Sequence, residues 1–174
     1  MSAIFIVEDG TAKTDANSYV SEAYASTYFD GHIYASAWVA AASTVQKNAL
    51  ITATRLLDEW INWDGYRATE DQALRFPRYD IIDRDGYAID SNIVPEFVKR
   101  AVCEEALALL QSNLMAEPDT KGYSELRAGS LSMKIDKQDR DNTGALPDQV
   151  LAIIEFYGQV RRRGSGGTVI LERA

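Results

Sequence analysis

The sequence predicts a mainly α domain: a four-helix bundle with a small β-hairpin or strand insertion, ending in an extended C-terminal β tail. Three observations predict it. Apolar residues recur at helical spacing in four separated stretches. Residues 63–92, rich in Gly, Asp and Tyr, interrupt that spacing. The C-terminal residues pass from arginine through glycine to a β-branched run, which no helix would favour.

Residues 1–17 read as an N-terminal extension, irregular apart from the short apolar run Ala3-Ile4-Phe5-Ile6-Val7. Ser21 can cap a first helix over residues 22–31, with Tyr24, Tyr28 and Phe29 on one face and Gly31 at its close. An alanine-rich helical turn surrounds Trp38. Ser43-Thr44-Val45-Gln46 matches a capping box and opens a long second helix, striped by Val45, Ala49, Ala53, Leu56, Leu57 and Trp60.

Residues 63–92 form a long ordered loop with one small hairpin, for which Asp85-Gly86 supplies a tight turn. Loops this long are usually functional, disordered or bound to a partner, so this one is expected to pack against a neighbouring subunit or to project toward a channel or tail. Pro95 suits the first position of a third helix running to about Asn113. Its stripe is Val98, Ala101, Val102, Ala106, Leu109 and Leu110. Leu131, Met133 and Ile135 alternate with polar residues, as in a half-exposed strand. Leu146-Pro147-Asp148 opens the fourth helix, with Val150, Leu151, Ile154 and Tyr157 inward and Gly158 ending it.

Residues 18–158 thus make one helical domain, and residues 159–174 a basic, glycine-hinged tail. Arg161, Arg162 and Arg163 precede Gly164-Ser165-Gly166-Gly167, and then come Thr168, Val169, Ile170 and Leu171. A β-prone run on a glycine tether needs a sheet edge to join. These three arginines and four strand-forming residues are therefore the candidate partner-binding site.

With 174 residues, 46% hydrophobic and 25% charged, the chain can bury a core without disulfides or metal. It carries a formal net charge of −8, and the tail holds four arginines against one glutamate, so the rest of the chain is more acidic still. Phosphate affinity comes mainly from Lys and Arg, and an acidic body is expected not to hold single-stranded DNA at physiological salt. No run has the composition of a signal peptide or the length of a membrane span, so a cytoplasmic site of synthesis and no membrane partner are expected.

Catalytic and metal chemistry find little support. One cysteine, Cys103, and one histidine, His32, exclude a Cys/His zinc site, and Cys103 falls in a buried stripe. Asp139, Asp141, Thr143 and Gly144 imitate the start of a calcium loop, but Val150 stands where a bidentate glutamate belongs. Asp80, Asp83, Asp85 and Asp90 read as a solvated acidic loop. The glycine-rich hinge lacks the Lys-Ser/Thr of a phosphate loop. No catalytic residue, metal or cofactor is expected.

The order of segments carries a resemblance. It runs through Asn17-Ser18-Tyr19-Val20-Ser21, Trp38, Ala53-Thr54-Arg55-Leu56-Leu57-Asp58, Trp63-Asp64-Gly65 and Gln72-Ala73-Leu74-Arg75-Phe76-Pro77-Arg78. It continues through Ile93-Val94-Pro95, Ala128-Gly129-Ser130-Leu131-Ser132 and Leu146-Pro147-Asp148. Over residues 16–157 this resembles a phage and prophage family often labelled DnaT-like single-stranded-DNA-binding proteins. It is also similar to the head–tail adaptor, or head-completion, proteins of tailed bacteriophages. The adaptor resemblance implies a four-helix adaptor-type domain without catalysis, in a homo-oligomeric ring of roughly twelve subunits. It further implies a place in the virion neck, contact with the portal and with a tail or second neck protein, and DNA only as the passing genome. Acidic charge lining such a channel lets DNA slide, so charge favours the adaptor, with single-stranded-DNA binding as the alternative.

Overall fold

The computed structural model describes residues 4–112, 114, 125–128, 131–134 and 146–161. The helices are α1 (Glu22–Asp30), α2 (Ser36–Ala40), α3 (Ser43–Trp60), α4 (Glu96–Gln111) and α5 (Asp148–Ile154). The strands are β1 (Ile61–Trp63), β2 (Tyr66–Arg67), β3 (Arg78–Tyr79), β4 (Glu125–Ala128), β5 (Leu131–Lys134) and β6 (Gly158–Val160). They pair antiparallel as β1–β6, β2–β3 and β4–β5.

The expected four-helix bundle is therefore wrong. A bundle needs four helices long enough to present matched apolar stripes. Only α3, with 18 residues, and α4, with 16, have that length among the described residues; α1 has 9, α2 has 5 and α5 has 7. Among the described residues the fold is instead an α3–α4 pair with short helices packed against it, together with three small antiparallel strand pairs. From Ala101 to Leu107 every residue of α4 is buried, because α3, α2 and α5 cover it on different sides. The extended β tail expected at residues 168–171 lies outside the described residues.

Among the described residues a side-chain cap opens one helix, α1. Ser21 caps α1, its Oγ accepting the Tyr24 N–H at 3.1 Å. The capping box at Ser43 does not form. Ala42 is the N-cap, and Gln46 turns back to donate from Nε2 to the Trp38 carbonyl at 2.8 Å. That bond fastens α3 to α2. Pro95 takes the N-cap of α4 rather than its first turn. The expected strand at Leu131 is β5, whose unforeseen partner is β4 with Leu126 opposite Met133; Ile135 lies outside the described residues.

The fourth helix also ends sooner than its spacing suggests. After Ile154 the chain turns, and Tyr157 leaves the helix to stack flat on Phe97 at 3.6 Å between centroids. Gly158 does not end a helix but begins β6, opposite Trp63 of β1. A Cβ added there would lie 2.7 Å from the Asn62 carbonyl oxygen, so only glycine allows the two strands this close.

An aromatic cluster joins these pieces. Trp63 and Phe76 meet edge to face at 5.1 Å, Phe76 meets Phe97 at 5.9 Å, and Tyr19 meets Phe76 at 6.1 Å. The N-terminal segment is tied to the same body. The buried Glu8 carboxylate accepts the Gly10, Ala12 and Lys13 amides, and the Lys13 carbonyl accepts the Ala73 N–H.

Candidate nucleic-acid interface

Residues 64–78 contain few regular hydrogen bonds of their own, so side chains must satisfy the backbone. Arg78 does most of this. Its guanidinium is buried and donates to the carbonyls of Asp64 (2.7 Å), Arg75 (3.1 Å), Trp63 (3.2 Å) and Gly65 (2.6 Å). Gln72, also buried, donates from Nε2 to the Leu74 and Pro77 carbonyls and accepts the Thr69 N–H. The Phe76–Pro77 peptide is cis. Both side chains are wholly occupied in shaping the segment.

Helix α3 fixes the other side. Tyr19 is fully buried, and its hydroxyl donates to Asp58 at 2.8 and 2.9 Å while accepting the Phe76 N–H at 3.0 Å. Asp58 also accepts the Arg75 N–H at 3.0 Å. Burial pushes the Asp58 carboxyl up to about 6, against the lowering effect of these hydrogen bonds and the Arg75 charge.

Between α3 and this segment lies a groove of about 520 Å³, lined by Arg55, Arg67, Arg75 and Arg161 with Asp58 and Glu59. Ile51 and Leu74 add apolar wall. All four arginines are exposed. They come from four places: α3, β2, the 73–75 turn, and the residue after β6. Pairing of β6 with β1 places the last, since the Arg161 N–H donates to the Trp60 carbonyl at 2.7 Å. Arg55 Nε lies 3.9 Å from Glu59, and Arg67 reaches the Gln72 carbonyl at 3.4 Å. Guanidinium groups gathered on one concave surface favour phosphate or carboxylate ligands.

Of the seven residues named as the candidate partner-binding site, Arg161 lines this groove. Arg162, Arg163, Thr168, Val169, Ile170 and Leu171 lie outside the described residues, as does the acidic turn at 139–144. Arg55, Arg67 and Arg75 went unrecognised because no local spacing announces their convergence.

The other candidates prove structural. His32 Nδ1 accepts the Tyr34 N–H, and Nε2 stands 3.6 Å from Glu104, which also accepts from Tyr28 and Gln149. These contacts tie α1, α4 and α5 together. Cys103 is buried, which pushes its thiol well above the usual range. Asp83 accepts the Asp85 and Tyr87 amides in the turn around Gly86. Among the described residues no group of three His, Cys, Asp or Glu side chains is placed to hold a metal ion. Among them, too, no helix is long and apolar enough to cross a membrane.

Residues 3–174 match the family model described as "Putative DnaT-like ssDNA binding protein". The chain belongs to this family. The match takes in the C-terminal tail, which the resemblance over residues 16–157 left out. No curated protein and no solved structure matches the chain. Nothing in these comparisons points to a head–tail adaptor, and the family favours the alternative drawn from the sequence, single-stranded-DNA binding.

Proposed function

We propose that this DnaT-like chain binds single-stranded DNA, and that the groove between α3 and residues 64–78 seats the phosphate backbone. One observation carries the reading: four exposed arginines share a groove in a chain whose formal net charge is −8. The acidic balance that argued against binding is a whole-chain quantity. A phosphate at the groove responds to charges within about one Debye length, roughly 8–10 Å. Within the groove, four guanidinium groups face two carboxyl groups.

Binding displaces counterions, so affinity falls as salt rises, with a slope of about −0.7 per phosphate neutralised on a single strand. Four arginines set a ceiling of roughly −3 for the described groove. The check is fluorescence anisotropy of a labelled oligothymidylate over a salt series. Arg75→Ala with Arg161→Ala should weaken binding and flatten the slope by about 1.4. Equal affinity and slope in the double variant would overturn the groove assignment.

A second reading has its own support. The large apolar side chains of Ile33, Tyr34 and Val39 are 74–88% exposed around α2, and those of Tyr66 and Tyr87 are 72–73% exposed on residues 63–92. Exposed aromatic and aliphatic groups of this size mark protein contacts. They support a non-enzymatic head–tail adaptor, ring-forming and docked on a portal in the virion neck. Electron microscopy of the purified chain, alone and with portal, separates the two: rings that ignore oligothymidylate favour the adaptor.

A further inference from the structure

We infer that anion binding in the arginine groove is coupled to the uptake of a proton by Asp58, so that the groove grips single-stranded DNA more tightly in mild acid. This deepens the reading above and rests on it. Asp58 and Glu59 both line the groove, but they differ in freedom. Glu59 is exposed beside Arg55, where solvent screens it and its side chain can turn away. Asp58 cannot turn away. Its two oxygens are held by the hydroxyl of buried Tyr19 and by the Arg75 amide, and Tyr19 is itself held by the Phe76 N–H.

A phosphate entering the groove therefore meets Asp58 at a fixed place, in one of two forms. As a carboxylate it repels the anion and draws on the same arginine charge. As a carboxylic acid it carries no charge and offers an O–H. The charged and titratable groups facing it are Arg55, Arg67, Arg75, Arg78, Arg161, Glu59 and Tyr19. Protons exchanged near neutrality come from groups that titrate between about pH 5 and 8. Burial has already brought Asp58 there, to about 6. A bound anion pushes the carboxyl further up, and linkage requires that protonation tighten the anion by the same factor.

The test measures oligothymidylate affinity at constant ionic strength from about pH 8 to about pH 5.5, in wild type and in Asp58→Asn. Wild type should gain about tenfold over that span. Asp58→Asn should bind at pH 8 as wild type binds in acid, and its affinity should change little with pH. Identical pH profiles for the two proteins would overturn the inference. If Asp58→Asn does not fold, calorimetry of wild type near pH 6.5 in buffers of different ionisation heat replaces it. Uptake of a fraction of a proton per oligonucleotide is expected, and none would overturn the coupling. Binding without the linkage sinks this inference alone, whereas no binding at any pH or salt sinks the single-stranded-DNA reading as well.

Discussion

Residues 64–78 and the Glu105 position of α4 both bury polar side chains, and they treat them in opposite ways. In the first region Arg78 donates to four carbonyls, Gln72 serves both sides of its turn, and Asp58 and Tyr19 satisfy each other and two amides. In the second, Glu105 is fully buried and both its oxygens lack a hydrogen-bond partner. Burial alone pushes its carboxyl up to about 8. The contrast teaches where the buried polar groups act. Fully bonded, they hold an irregular surface in one shape and present four arginines from it. Unbonded, Glu105 contributes no side-chain hydrogen bond and leaves the core with a titratable defect.

The largest expected effect breaks the bonded region. Arg78→Ala removes all four donors and leaves carbonyls poorly satisfied, which should cost about 3 kcal/mol in denaturant unfolding. Arg78→Lys should recover little of it, because an ammonium cannot span four carbonyls as the planar guanidinium does. Full recovery by lysine would show that charge, not the hydrogen-bonding fork, holds the segment. Either variant should also weaken oligothymidylate binding, since Arg67 and Arg75 are positioned through the same loop.

The next effect is stabilising and comes from the unbonded region. The folded carboxyl of Glu105 titrates near 8, above its ordinary value near 4.5, so the folded state holds the proton that the unfolded chain releases. Stability from this group is complete below about pH 4.5, declines as pH rises, and is lost above about pH 8. Glu105→Gln should match wild type near pH 4.5 and exceed it by about 2 kcal/mol near pH 7. Parallel stability curves for the two proteins would show that Glu105 finds a partner.

How much of this was legible follows the same division. Helices α1, α3 and α4 announce themselves because their apolar residues repeat at helical spacing, and Ser21 caps as its position suggests. Where a second partner competes, local signals fail. Gln46 bonds Trp38 rather than closing its capping box, and Gly158 serves a strand rather than a helix end. Residues 63–92 were recognisable as a long ordered loop with a turn at Gly86, but not what orders them. Arg78 reads like any surface arginine until the carbonyls around it are known. The groove was illegible for a related reason. Arg55, Arg67, Arg75 and Arg161 share no spacing, and the β1–β6 and β2–β3 pairings, the Tyr19–Asp58 contact and the Arg78 hydrogen bonds bring them together.

The smallest effect sharpens the comparison, because it removes a single atom from the bonded region. Tyr19→Phe keeps the ring and its edge-to-face contact with Phe76 but deletes the hydroxyl. The Phe76 N–H then loses its acceptor and Asp58 loses one donor, while the Arg75 amide still holds the carboxyl. A net loss of about 1–2 kcal/mol is expected, seen as a lower denaturant midpoint at unchanged slope. The same change acts on the proton. A hydrogen bond that favours the carboxylate is gone, so Asp58 should titrate higher than about 6 in the variant. Oligothymidylate binding by Tyr19→Phe should therefore begin to tighten at a higher pH than in wild type. A stability loss with no displacement of the binding profile would place the hydroxyl in the scaffold only and leave the groove indifferent to the proton on Asp58.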